Sequence, residues 1–409
     1  MTKLLFQSIY KEKNVNKNHF KMLLSRKTLT GIFHLFTKYI PAYLYANSKN
    51  NSERIWLISE RRDEARDNGY WLFRYIRENC PNQKVFYALD ASSVDYEKIS
   101  QLGNEINWGS FKHYVCYFLA SSLISTGFDM CAPDLYASIF MKRVLPARGK
   151  KIFLQHGITK DFMHSATKEK MHASLLVCGG YPEYKFISDN FGYQDNEVQY
   201  LGFPRYDSLQ CKEGCYQIIY MPTWRTWLSE RNFKDTGYYK TICSFLQNRE
   251  LQLLLRNSNM TLVYFLHPHI KKYKKYFEGI SSVEIKVCNN DDYDLQELMK
   301  ESELLITDYS SVYFDFAYMG KPVIYYQFDY EEYRKKQYQE GYFSYKRDGF
   351  GPIVHKEDAL IESLKHYSDL GWKNEEPFIS RGNNFFRYRD TDNCKRTYEA
   401  IMRIEDENE

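Results

Sequence analysis

Short apolar runs alternate with helix-length stretches through most of this 409-residue chain, and that alternation constrains its fold more than any other feature. Residues 54–59, 84–90, 123–127, 151–154, 175–178 and 198–201 read as strands, with helices near 69–79 and 111–120 among them. A second series at 217–221, 262–266, 284–287, 304–307 and 323–326 is interleaved with helices near 238–248, 294–301 and 311–319. Continuously apolar strands separated by helices demand parallel βαβ units, and so doubly wound α/β sheets. The pattern breaks at 204–216, where Pro204, Gly214 and the pair Cys211 and Cys215 fall. Two Rossmann-type domains with a cleft between them are therefore expected, at 51–210 and 211–375, a length each can bury a core with. The tail 376–409 is polar and ends in a helix, expected to pack back on the N-terminal half.

Charge is distributed unevenly. Residues 1–50 carry nine basic side chains against the single acid Glu12, a charge of +8, so with +4 for the whole chain the remainder carries −4. Within this segment Leu29, Ile32, Phe33, Phe36, Ile40, Tyr43 and Leu44 recur at helical spacing and form one apolar stripe. A cationic amphipathic helix of this kind suits an anionic membrane surface, although packing on its own domain would use the same stripe. No uncharged apolar run reaches the length of a spanning helix. The basic end on a slightly acidic body suggests a local anionic partner rather than a protein that is basic throughout, and no nucleic-acid partner is expected. Nine scattered cysteines, with no secretory signal, fit a reducing compartment.

Ligands collect at the carboxyl ends of parallel strands, and four notable clusters fall there. His156-Gly157 follows 151–154, Pro222-Thr223-Trp224-Arg225 follows 217–221, His267-Pro268-His269 follows 262–266, and Asp308-Tyr309-Ser310-Ser311 follows 304–307. The last is read as the start of a helix, whose unpaired N–H groups and Ser hydroxyls could receive a diphosphate; plain capping would use the same residues. One imidazole, His156 or His267, could serve as general base and the other could stabilise phosphate charge. Arg225 offers a bidentate clamp and Lys160 a second cation, though either could be a surface charge. No P-loop, Gly-x-Gly-x-x-Gly or Gly-x-Ser-x-Gly element is present, which argues against nucleotide hydrolysis, dinucleotide redox chemistry and serine hydrolysis. No carboxylate spacing suggests a metal, and no cofactor is expected.

The run from Leu305 to Ala317 (Leu-Ile-Thr-Asp-Tyr-Ser-Ser-Val-Tyr-Phe-Asp-Phe-Ala) closely resembles the signature of the CDP-glycerol glycerophosphotransferases. Gly320-Lys321-Pro322, Gly351-Pro352-Ile353-Val354, Gln155-His156-Gly157, Pro222-Thr223-Trp224-Arg225, Gly202-Phe203-Pro204-Arg205-Tyr206-Asp207 and His267-Pro268 match in the same order. The resemblance implies a GT-B-like fold with a CDP-activated polyol donor mainly on the C-terminal half. It implies His156 as base, His267 assisting at the diphosphate, and Ser310, Ser311, Thr223, Arg225, Asp308 and Asp315 around the donor. Gly157, Lys160, Arg205 and Arg396 become candidate substrate contacts. An acceptor hydroxyl on a cell-envelope polymer or lipid-linked carrier would attack the β-phosphorus and release CMP at the cytoplasmic face of the membrane. CDP-ribitol is the nearest rival donor, a nucleotide-sugar glycosyltransferase the next, and a non-enzymatic scaffold with a relic site the third. His156-Gly157-Ile158-Thr159-Lys160-Asp161 resembles a second branch of the family, and Phe265 and Cys394 replace an Arg and a Ser common elsewhere, which leaves the acceptor open.

Overall fold

Ile55-Trp56-Leu57-Ile58-Ser59 is buried at every position, the signature of a strand covered on both faces. It forms β1 (Ile55–Ser59) in a computed structural model that describes residues 26–49, 53–141, 144–212, 214–336 and 341–407. The basic residues Lys3, Lys11, Lys13, Lys17 and Lys21 lie outside the described residues. The chain divides into two compact units, Met1–Ala65 with Phe73–Phe153, and Arg66–Leu72 with Leu154–Glu409.

In the first unit β1 is joined by β2 (Lys84–Leu89), β3 (Glu105–Asn107), β4 (Ser122–Ser125) and β5 (Lys150–Phe153) in the order β3-β2-β1-β4-β5. Every pairing is parallel, with Trp56 opposite Val85 on one side and Ser122 on the other. Strand β3 was not read from the sequence, because three residues at a sheet edge leave no apolar pattern. The N-terminal segment is helical as α1 (Arg26–His34), a π-helical turn (Leu35–Tyr39) and α2 (Ile40–Asn47). Leu35, Tyr39 and Ala42 pack on Tyr114, Ala137 and Met141. The residues facing inward are thus offset from the expected stripe, of which Ile32, Phe33, Phe36 and Leu44 stay exposed at 43, 63, 62 and 62%. Helix α3 (Asn68–Asn79) follows β1, and α4 (Phe111–Leu119) begins at Ser110, whose side chain accepts from the His113 N–H.

The second unit contains the parallel pair β6 (Leu175–Cys178) and β7 (Val198–Tyr200), with α5 (Tyr181–Asn190) between them. It also contains a six-stranded parallel sheet, β10-β9-β8-β11-β12-β13. These strands are β8 (Gln217–Tyr220), β9 (Thr261–Phe265), β10 (Ile285–Cys288), β11 (Leu304–Thr307), β12 (Val323–Tyr326) and β13 (Ile353–Val354). Ile218, Leu262, Leu304, Ile306 and Ile324 share one core with the tyrosines Tyr220 and Tyr264. The helix expected at 311–319 is shorter: α6 spans Tyr313–Tyr318, and Ser310 and Ser311 form the turn before it. The reason is local. The Asp308 carboxylate accepts from the Tyr309 and Thr223 N–H groups, which holds the chain off a helical path until the Ser311 carbonyl accepts from the Phe314 N–H at 3.1 Å. The C-terminal helix α7 (Asn393–Asp406) is pinned to 201–207, where Asp207 accepts from the Asn393 and Cys394 N–H groups. Gly202, at φ 77°, is required there, since a Cβ would lie 1.8 Å from Asn393 Oδ1.

Candidate active site

The segment after β5 turns back sharply because Gln155 adopts a left-handed φ of 58°, which aims the next side chain away from the strand. That side chain is His156, whose imidazole is 65% exposed. Its Nδ1 lies 2.5 Å from Asp67 Oδ2. A carboxylate can only accept, so the ring carries its proton on Nδ1 and its lone pair on Nε2. Asn68 fixes the geometry by donating to the Gln155 carbonyl at 2.8 Å while its Oδ1 accepts from the Arg205 N–H.

Asp67 is fully engaged. It accepts from Arg205 Nη1 at 2.9 Å and from the Asn68 N–H at 2.8 Å. Burial alone would push its carboxyl up; the charges and bonds of His156 and Arg205 outweigh this and hold it below the usual carboxylate range. Arg205 also donates to the His156 carbonyl at 3.1 Å and closes its fork on Asp315 of α6 at 2.8 and 3.1 Å. The relay His156, Asp67, Arg205 and Asp315 therefore connects the imidazole to the helix that follows Ser310 and Ser311. The two loops also lie close: a Cβ added to Gly157 would lie 3.0 Å from Ser311 Oγ, so glycine relieves crowding there.

Ser311 is exposed, and Ser310 Oγ accepts weakly from the Val312 N–H at 3.4 Å. Because α6 has only six residues, the expected helix-dipole seat for a diphosphate is replaced by a turn bearing two hydroxyls. Arg225 departs from the expected clamp. Its guanidinium is buried, bonding Asp308 at 2.8 Å, Asp329 at 2.7 and 2.8 Å and the Thr223 carbonyl at 2.5 Å. Tyr309 and Tyr333 stack on each other at 3.7 Å with Arg225 about 5 Å from each ring. A fork closed on two carboxylates positions the Asp308 turn and offers no edge to a phosphate. Asp308 and Asp315 are likewise buried anchors, and Thr223 Oγ1 is buried without a hydrogen-bond partner among the described residues.

Lys160 is buried against Asp161, with its ammonium 5.8 Å from the Tyr345 ring. Arg396 donates to the Leu201 carbonyl and to Asp390 and stacks on Tyr388, and so holds α7 in place. His267, after β9, has its ring 6.4 Å from that of Trp224. Beyond Asp329 opens a cavity of about 610 Å³ lined by residues that include Tyr238, Phe328, Glu331, Glu332 and His355. Two of its lining residues are bonded to the segment that carries the serine turn: Gln327 Nε2 donates to the Asp308 carbonyl, and Asp329 holds Arg225, which bonds Asp308. Among the described residues, no group of His, Cys, Asp and Glu gathers as a metal would require.

Asp67 and Asn68 were missed in the sequence. The signal was there: the Asp67-Asn68-Gly69 run ends the loop that follows the carboxyl end of β1, just as His156 follows that of β5.

Residues 42–403 match the family described as CDP-Glycerol:Poly(glycerophosphate) glycerophosphotransferase. The chain belongs to this family. A relative described as the minor teichoic acid biosynthesis protein GgaB of Bacillus subtilis is 32% identical over 87% of this chain and 40% of its own length. The teichoic acid poly(glycerol phosphate) polymerase of the same organism is 24% identical over 74% of this chain and 42% of its own. This glycerophosphotransferase-family chain thus spans less than half the length of those two relatives. Solved structures of the wall teichoic acid polymerase TagF match 97% of this chain at a TM-score of 0.66 and 18% identity, covering all of that chain. A UDP-GlcNAc 2-epimerase from Neisseria meningitidis matches 86% of this chain and all of its own at 0.53 and 13%. The fold class is GT-B-like α/β with parallel Rossmann-type sheets. Among the described residues no helix is long and apolar enough to cross a membrane.

Proposed function

We propose that the chain transfers glycerol phosphate from CDP-glycerol to a hydroxyl of a teichoic-acid-type or capsular polymer, or of its lipid-linked precursor, releasing CMP. The observation that supports the reading is the Asp67-held imidazole of His156 next in sequence to Gly157, a residue close enough to the serine turn that an added Cβ would lie 3.0 Å from Ser311 Oγ. In the reaction His156 Nε2 takes the proton of the acceptor hydroxyl as its oxygen bonds the β-phosphorus. The diphosphate P–O bond breaks and its electrons leave with CMP. Asp67 keeps the proton on Nδ1 and stabilises the imidazolium that forms. Ser310 and Ser311 donate to the diphosphate oxygens, and His267 supports the leaving charge. The cytidine half takes the cavity near Asp329, whose volume suits a nucleoside and whose Glu331 and Glu332 can accept from ribose hydroxyls.

The exposed apolar residues of α1 and α2, with the basic N-terminal sequence, support peripheral attachment to the anionic cytoplasmic face of the membrane. CDP-ribitol is a second donor reading, favoured by the 25% identity to the ribitol-phosphate polymerase TarK of Staphylococcus aureus over 86% of this chain. The deciding assay incubates the purified chain with labelled CDP-glycerol or CDP-ribitol and membrane extract, then follows CMP release and product size. CMP release from CDP-glycerol that is lost in His156→Ala is expected. Equal turnover by His156→Ala would sink the base assignment, and release from neither donor would sink the activity.

A further inference from the structure

One buried carboxylate that the reaction above does not use receives four hydrogen bonds. Glu183, on the first turn of α5, is wholly buried. One oxygen accepts from the Thr159 N–H at 2.6 Å and from Gln155 Nε2 at 3.1 Å. The other accepts from the Gly179 and Gly180 N–H groups at 2.8 and 3.4 Å. Gln155 and Thr159 bracket His156, and Thr159 Oγ1 donates to Gln155 Oε1 at 2.6 Å. Gln155 Nε2 also donates to the Val177 carbonyl at 2.8 Å. A left-handed non-glycine residue such as Gln155 is strained and persists only where its surroundings enforce it.

Glu183 is an expensive way to enforce it. Burial pushes its carboxyl up to about 7, against the pull of its four donors. The titratable side chains facing it are Cys178 of β6, Tyr206 and Tyr342, and burial raises each of their pKa values, so none of these neutralises it. An amide could not accept from all four donors, whereas a carboxylate can.

We infer that Glu183 is a positioning residue for His156: its carboxylate clamps both ends of segment 155–159 so that the imidazole meets Asp67 with Nδ1 and faces outward with Nε2. The catalytic half of this inference rests on the proposed role of His156; the geometric half does not. The test uses Glu183→Gln in the full chain and reads the ring nitrogen shifts of ¹⁵N-labelled His156, assigned by their disappearance in His156→Ala. The expected result is a ring that moves from the Nδ1–H form toward the mixed tautomers of free imidazole. With it, kcat should fall by ~100-fold while KM for CDP-glycerol stays unchanged, as displacement of a reacting group by about 1 Å would give. Unchanged ring shifts in a folded Glu183→Gln protein would overturn the inference. A changed tautomer with unchanged kcat would uphold the clamp and remove His156 from the chemistry. If Glu183→Gln does not fold, Gln155→Met, which removes the Gln155 donor to Glu183 together with its bonds to the Val177 carbonyl and Thr159, must shift the ring in the same direction; an unmoved ring there overturns the clamp equally.

Discussion

The exposure of His156 beside a buried, ionised Asp67 separates two jobs between neighbouring residues: one meets solvent and substrate, the other fixes a proton. Asp67→Asn keeps the shape but can donate to Nδ1, which favours the wrong tautomer. We expect kcat to fall ~10²–10⁴-fold with little change in donor KM, measured by CMP release. The same carboxyl sets a pH dependence. Its folded value lies below the unfolded one, so its contribution to stability is complete above about pH 4 and drains away as pH falls through the lower folded value. The gap in unfolding free energy between wild type and Asp67→Asn should therefore narrow below about pH 4 in urea titrations. Gly157→Ala probes the other contact. Its methyl would crowd Ser311 Oγ at 3.0 Å, so activity should drop by ~10-fold with an unchanged melting temperature. In a Ser311→Ala background the same change should cost less, because the crowding atom is gone; additive losses would refute the contact. At this scale the sequence disclosed every group that lies in a strand-end motif. It hid Glu183, whose importance comes from Gln155 and Thr159, partners that no local spacing announces; Asp67 stood in a legible Asp67-Asn68-Gly69 run, but its ties to His156 and Arg205 did not.

Elements were the most legible level, since strand burial writes itself into continuous apolar runs: β1, β6, β11 and β12 are buried at every position. The error at α6 is instructive. Ser310-Ser311 ahead of an apolar run has the composition of a helix start, yet the Asp308 carboxylate takes the N–H groups of Tyr309 and Thr223 and delays the helix to Tyr313. Arg225 is ambiguous for a related reason: a strand-end arginine looks the same in sequence whether it meets a ligand or Asp308 and Asp329. The two roles differ in energy. A phosphate clamp at the surface could be removed at little cost in stability, whereas removing this buried cation strands two carboxylates in a low-dielectric site. We expect Arg225→Met to lower the unfolding free energy by ~3–5 kcal/mol, read from the urea midpoint. A loss under ~1 kcal/mol, the range of an exposed ion pair, would return Arg225 to the ligand.

On the scale of the whole molecule, the chain couples α/β units that bury their strands to a helical segment that leaves large apolar side chains in water. Leu35, Tyr39 and Ala42 satisfy the needs of the fold from one face of that segment, so Phe33 and Phe36, 63 and 62% exposed, contribute little to folding. The sequence could show that a stripe existed but not which of two adjacent faces the unit would take, because both are apolar at helical spacing. The outward face remains to be explained by a partner. If that partner is the membrane, each Phe entering the acyl boundary gains ~1.5–3 kcal/mol, about a tenfold change in partitioning per ring. Phe33→Ser with Phe36→Ser should therefore reduce cosedimentation with anionic vesicles ~100-fold. The melting temperature and the turnover of a soluble acceptor should stay as they are, because neither ring supports the core or the His156 site. Wild-type binding should also weaken with added salt, as the attraction of the basic N-terminal sequence is screened. Undiminished binding of the double variant to vesicles at a salt concentration that screens the basic sequence would refute lipid contact through these rings.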